Sequence, residues 1–493
     1  MLFRSLDAGL VGVIRLEMTK WATPWTVQPM VGEGDKQKRD RTAKVSFDGK
    51  LTDLSTALSA GDVVMVRVAT PPKKAAPKPT KPAKKPAKKP TTRPKKKDLD
   101  QAKTPALPFG LELVPVPMME GALVSTAFGT SGLDAMATGW DFDRSEVNRA
   151  VALRQVGSTM KPIVYGRAYD LGLAPSTLVS GAPFREGNYN PTGGRTKEDK
   201  VAWVALAESE NAVSLRVFQH VLQRAELETW RQWGEALGLP KALEGHTSEV
   251  LGVDQTAVGM LSAFSTFANE GRRVALPLVR KVVARDGRVL ERNLRPADPS
   301  ASAADTLVAL WTAATTRPEV VVSPVTSHLI ARNLTAAVNI GTGKKAKALN
   351  REAGGKTGTL AYDVWFAGFT GERAAVAWLG ADRRERTLGP SERDNRIYGS
   401  TAALPMWVDF MASLGSVKRG KNDIKRKGVA EVVPPEVVIV HIDPETGLLA
   451  RPLADGTYDK TAIAIPHRRG TEPTEMVPLP VEEIPIERAE QDF

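Results

Sequence analysis

Gly157-Ser158-Thr159-Met160-Lys161-Pro162 sets a serine and a lysine three residues apart at the start of a helical pattern. On a helix that spacing stacks both side chains on one face, a few ångströms apart. Pro162 favours a helix start near Ser158, because proline is tolerated in the first turn and penalised deeper in. A serine there has its N–H pointing outward at a helix N-terminus, where it can stabilise an oxyanion. Its hydroxyl can pass a proton to a lysine whose pKa is lowered by burial and by nearby positive charge. Taken alone, the same spacing is that of an ordinary surface helix start.

Two further stretches give the pair a context. Glu208-Ser209-Glu210-Asn211 falls inside a helical pattern running from Trp203 to Leu222. Serine and asparagine compete with helix backbone hydrogen bonds, so two of them here predict a break between helices. One reading is a simple cap. The functional one places Ser209 near Lys161 and Asn211 near a substrate amide, and helix geometry beside Ser209 points Glu210 away. Gly354-Gly355-Lys356-Thr357 looks like the end of a phosphate-binding loop, but the required first glycine is Asn350. Thr359-Leu360 and the apolar residues that follow favour a strand instead. Lys356 can then hold a carboxylate, with Thr357 and Thr359 hydrogen-bonding it. Gly358 lets substrate approach the backbone, and the Thr359 N–H is the natural second oxyanion donor.

Around these stretches the chain reads as one α+β domain over residues 105–415. Ala122–Phe128 and Gly132–Gly139 flank a turn, as do Val364–Thr370 and Arg373–Ala381, so each pair predicts a hairpin. Helical patterns lie between, at Pro162–Leu171, Leu227–Leu237, Ala257–Ala268 and Ser327–Val338. Strands at both ends and helices in the middle predict one antiparallel sheet, flanked by helices, that closes only when the two ends meet. Residues 1–70 carry β-branched runs such as Asp62–Val68 and predict a small β-rich barrel or sandwich. Residues 416–493 read as a basic linker and a C-terminal extension, with a strand at Val437–Ile442.

The net charge of +12 is local. Lys73 to Lys97 holds eleven lysines, one arginine and no acid, which leaves 56 basic and 56 acidic residues elsewhere. Residues 71–104 are therefore a Lys/Pro-rich linker, too polar to bury a core and expected to be disordered. A sharper reading makes this segment a tether to anionic wall or lipid polymers; the neutral remainder argues against nucleic acid. With no cysteine, disulfides are excluded, and five scattered histidines give no metal-ligand spacing. The apolar run Ala8 to Ile14 is too short for a membrane span and lacks a signal-peptide cleavage site.

Together Ser158-Thr159-Met160-Lys161, Ser209-Glu210-Asn211 and Lys356-Thr357-Gly358, with Asn148-Arg149-Ala150 upstream, resemble the transpeptidase domain of class A penicillin-binding proteins. Arg154-Gln155-Val156-Gly157-Ser158, Gly341-Thr342-Gly343 and Trp365-Phe366-Ala367-Gly368 add to the likeness, which covers about residues 110–415. The resemblance implies a penicillin-binding protein/β-lactamase-like transpeptidase fold with an OB-like N-terminal domain. It implies a serine D,D-transpeptidase that cross-links peptidoglycan stem peptides and is acylated by β-lactams, without cofactor. Ser158 is then the nucleophile, Lys161 its base and Ser209 the proton relay. Asn211, Lys356, Thr357, Gly358 and Thr359 bind substrate. The implied place of work is the periplasm or cell envelope, on the inner membrane through an N-terminal segment or a partner. Such family members begin with a membrane helix and a glycosyltransferase domain. Neither is read in this sequence, so a separate glycosyltransferase subunit is an expected partner. The alternatives are a β-lactamase, whose Glu-x-x-Leu-Asn element is not found here, and a silent β-lactam sensor or wall-binding scaffold.

Overall fold

The computed structural model describes residues 11–15, 63–68, 111–113, most of 119–382, 397–414 and 428–479. The linkers expected at 71–104 and 416–427 lie outside the described residues. The chain divides into two compact units, Met1–Met118 and Met119–Phe493. In the first, β1 (Val11–Arg15), β2 (Val63–Val68) and β3 (Leu111–Leu113) form an antiparallel sheet, with Val13 opposite Met65 and Val66 opposite Leu113. The boundary expected at residue 70 therefore moves: a strand from beyond the lysine-rich segment returns to complete the N-terminal sheet.

The second unit is built on a five-stranded antiparallel sheet. Its strands are β4 (Glu120–Ala127), β5 (Ala135–Thr138), β6 (Gly354–Thr359), β7 (Asp363–Phe369) and β8 (Arg373–Gly380), in the order β6-β7-β8-β4-β5. The two expected hairpins are present. Val376 pairs with Val124, so β8 joins the start of the domain to its end. Every residue of β7 is buried, as befits a strand covered on both faces. Alternation sorts its side chains: Trp365, Ala367 and Phe369 enter the large helical core, while Phe366 enters a smaller core on the other face.

The large core is filled by α1 (Lys161–Asp170), α3 (Asn211–Arg224), α4 (Leu227–Ala236), α5 (Ala257–Ala268) and α6 (Pro324–Asn339), with α2 (Ala202–Glu208) leading into α3. Helix α5 is capped by Thr256, which accepts from Gly259 N, and α6 by Ser323, which accepts from Thr326 N. The smaller core belongs to α7 (Ala403–Ser413), whose Trp407 stacks edge-on against Phe366 and donates its indole N–H to Ala375 O at 3.0 Å. Truncating a fully buried aromatic of this kind typically costs about 3–5 kcal/mol. Among the described residues no helix is long and apolar enough to cross a membrane.

The C-terminal strand expected at Val437–Ile442 (β9) pairs with β10 (Ile463–Arg468). Ile442 and Ile465 bury against Val201 and Trp203, at the start of α2. His467 is fully buried there, 2.9 Å from Ser176 Oγ, and burial pushes its imidazole down to about 4. The hairpin thus braces the helix that ends at Ser209.

Candidate active site

The Ser158 turn is held by the chain on both sides. Gly157 has φ +57°, and a Cβ there would meet Leu360 at 3.1 Å and the Thr359 nitrogen at 3.4 Å. Only glycine combines that backbone with such close approach. Gly157–Met160 form a 3-10 turn, and the α-helix begins at Lys161, with Pro162 in its first turn. This start lies three residues later than the serine. The tighter turn leaves Ser158 half-buried while Lys161 is fully buried. Trp365 Nε1 donates to Gln155 O at 2.8 Å, pinning the turn to β7. Arg149, itself buried, reaches Asp382 with two N–H groups and Val147 O with a third. It ties the approach to this turn to the far end of β8.

The predicted helix break occurs where Ser209 sits. Its N–H donates to Leu206 O and the next N–H, of Glu210, to Ala205 O, a pattern that closes a helix through one left-handed residue. That residue is normally glycine; here it is Ser209, at φ 69°, ψ 36°. A non-glycine residue in this region costs about 1–3 kcal/mol and marks a constrained site. The strain exposes the Ser209 carbonyl and hydroxyl to the lysines. Lys161 Nζ donates to Ser209 O and to Asn211 Oδ1, both at 2.7 Å, and lies 3.3 Å from Ser209 Oγ. From the opposite side Lys356 Nζ donates to Ser209 Oγ at 2.8 Å and to Thr357 O at 3.1 Å. The structure therefore brings Lys161, Ser209, Asn211 and Lys356 into one hydrogen-bonded cluster.

Edge strand β6 supplies the remaining residues. A Cβ on Gly358 would lie 2.5 Å from Val156 O and 3.2 Å from Thr159 Cγ2. In the side-chain direction the space at this glycine is taken by the serine turn, which docks against the bare strand. Thr357 Oγ1 is 2.8 Å from Thr342 Oγ1. Thr342 reaches it because Gly341 passes under the end of α2, where a Cβ would lie 1.9 Å from Ala207 O. Thr359 is exposed, and its hydroxyl accepts the Gly399 N–H at 3.0 Å. Thr342 and Gly399 were not site residues in the sequence reading. The Gly341-Thr342-Gly343 stretch carried a signal for the first, and nothing local marks the second.

Residues 128–378, about half of the chain, match the family Transpeptidase, described as the penicillin-binding protein transpeptidase domain. The chain belongs to this family. Penicillin-binding protein 1A of Neisseria gonorrhoeae is 32% identical over 331 residues, covering 64% of this chain and 38% of the relative. The protein of the same name from Pseudomonas aeruginosa is 31% identical over 391 residues, covering 71% and 45%. The chain thus spans less than half the length of these relatives. The crystal structure of penicillin-binding protein 1A from Haemophilus influenzae superposes with a TM-score of 0.62 at 21% identity, over 86% of this chain and 58% of that one. At that identity the likeness is one of fold.

In this transpeptidase domain burial perturbs both lysines. Burial pushes Lys161 well below the ordinary lysine value, the neighbouring Lys356 charge lowers it further, and Glu210 opposes both. Burial alone pushes Lys356 down to about 7. An amine with two N–H groups committed to Ser209 O and Asn211 Oδ1 keeps, when neutral, a lone pair for a third direction. The expectation for Glu210 is also corrected. It is 4% exposed and acts on Lys161 and on Tyr165. Helical angles do not apply beside it, since Ser209 is left-handed and Glu210 itself is extended, at φ −64°, ψ 128°.

Proposed function

We propose that this chain is a serine D,D-transpeptidase that joins peptidoglycan stem peptides through an acyl-enzyme and is acylated covalently by β-lactams. The observation that carries the reading is Ser209 Oγ, 3.3 Å from Lys161 Nζ and 2.8 Å from Lys356 Nζ, with a half-buried Ser158 three residues ahead of Lys161. Ser158 Oγ attacks the carbonyl carbon of the penultimate D-alanine, and its proton passes to Lys161. The Ser158 and Thr359 N–H groups are the expected donors to the oxyanion. Ser209 takes the proton onward to the departing D-alanine nitrogen, with Lys356 holding its hydroxyl and the local positive charge. A second stem amine then attacks the ester, the proton path runs in reverse, and Ser158 is freed. Such a substrate places the domain's work in the cell envelope, outside the inner membrane.

A fluorescent penicillin should label the protein once per chain, at Ser158, and Ser158→Ala should abolish the label. Labelling that survives the substitution would end the proposal. The alternative, a β-lactamase, differs in the fate of the ester. Hydrolysis needs a base on the ester's open face, and such help typically contributes about 10²–10⁴-fold. Lys161 and Ser209 both lie on the acylating side. Nitrocefin absorbance should therefore show one stoichiometric burst and then near silence; sustained turnover would assign the chain to hydrolysis instead.

A further inference from the structure

One face of α1 is polar although it is wholly buried. Lys161, Tyr165 and Tyr169 recur every four residues and so share that face, and none is more than 1% exposed. Each reaches a partner on another element. Lys161 Nζ donates to Ser209 O and Asn211 Oδ1 at the front. One turn back, Tyr165 Oη is 3.3 Å from Ser214 Oγ on α3. One turn further, Tyr169 Oη donates to Asn333 Oδ1 at 2.9 Å, and Asn333 Nδ2 donates to Trp203 O at 2.8 Å. This last rung joins α1 to α2 through α6, a helix that packs against α1, α2 and β6 alike. Asn333 has no exposure, and the acylation chemistry gives it no task.

A buried amide is costly unless it is hydrogen-bonded, and an apolar side chain would fill the same space without that requirement. What the amide adds is direction. Apolar packing is non-directional, and a core matched only in volume loses its unique arrangement before it loses stability. Two bonds of fixed geometry at one side chain set three helices in one register. Burial holds the Tyr169 phenol well above its usual range, and Tyr165 adds to this. The phenol therefore stays a donor and turns Asn333 Nδ2 toward Trp203 O. Trp203 stands in the first turn of α2, a helix of seven residues that ends at the left-handed Ser209. The two lie about 9 Å apart along the axis, so a slip of α2 is passed on to Ser209.

We propose that Asn333 is a positioning residue for acylation: it ties the helix that begins at Lys161 to the helix that ends at Ser209, and so keeps Lys161 Nζ within reach of Ser209. It acts through both helices and not on substrate. The inference rests on the reading of Ser158 as the acylated nucleophile.

The test compares the wild type, Tyr169→Phe, Asn333→Leu and the double variant. For each, the saturating rate constant of penicillin acylation, the half-saturating concentration and the melting temperature are measured. The tie is a chain broken at either link, so all three variants should lose about 10-fold or more in the rate constant, given that a misplacement of about 1 Å can cost about 10²-fold. The half-saturating concentration should stay near the wild-type value, because the Lys356 strand is held by its pairing with β7. Stability should follow a different order. Asn333→Leu strands the Tyr169 hydroxyl and Trp203 O together, whereas the double variant also removes the hydroxyl and should melt above it. A stability that recovers in the double variant while the rate stays low supports positioning. A rate that recovers with stability would overturn the proposal and leave a packing role. Tyr169→Phe removes a single oxygen and decides the matter even where the leucine variants fail to fold: acylation at the wild-type rate would overturn the proposal. A wild type that took no label would overturn the reading of Ser158 and this inference with it, whereas a labelled wild type with unaffected variants would overturn this inference alone.

Discussion

Lys161→Met should slow penicillin acylation of Ser158 by about 10²–10⁴-fold, the range expected when a positioned general base is removed. The substitution keeps an unbranched stem in a fully buried slot and removes a charge that burial disfavours. Replacing a buried charge by an apolar group of similar volume is often neutral or stabilising. The opposing cost is the loss of a donor to Ser209 O and Asn211 Oδ1, about 1–3 kcal/mol for acceptors left buried without one. The two effects are similar in size, so the melting temperature should stay near that of the wild type while the rate collapses. A time course of fluorescent-penicillin labelling on protein of verified fold measures this. A rate within tenfold of the wild type would remove Lys161 as the base and move that role to another group in the cluster.

The parts of this site legible in the sequence were those set by local chemistry. The serine–lysine spacing, the poor helix formers at Ser209 and Asn211, and the apolar strands around Gly371-Glu372 each carry their reason within a few residues. So does closure of the sheet, because a domain with strands at both ends has few other ways to cover their edges. What stayed hidden depends on contacts between distant segments. Glu210 looked outward because helical geometry was extended across a residue that is left-handed. The docking of the serine turn on Gly358 stayed hidden because its neighbour in space, Val156 O, lies some 200 residues earlier. Thr342 touches Thr357 only because Gly341 slips beneath α2. Leu111–Leu113 is a three-residue strand with no pattern of its own, so its pairing with β2 decides its place. The same holds for β10, where Pro466 interrupts the run but pairs opposite Ile439 at a sheet edge, the position where proline is tolerated.

Stability should rise with pH through the range in which Lys356 loses its proton in the fold, and Lys356→Met should flatten that rise. Burial holds Lys356 at about 7, whereas an unfolded lysine titrates near 10.4. Between these values the unfolded chain binds a proton that the folded chain does not, so unfolding becomes less favourable as pH increases. Below about pH 7 both states are protonated, and the fold carries the whole cost of a buried ammonium, of order 4 kcal/mol for a shift this large. Methionine carries none of it at any pH. Lys356→Met should therefore melt above the wild type near neutrality, by several degrees for a domain of this size. The gap should close by about pH 10, where the wild-type amine is neutral. Exposed lysines and tyrosines titrate in both proteins and cancel in the difference. A difference that is flat across this range would mean that Lys356 keeps an ordinary lysine value in the fold. The same variant loses the donor that holds Ser209 Oγ at 2.8 Å, so acylation should fall as stability rises. That opposition is the expected signature of a charge kept buried for chemistry at the expense of the fold.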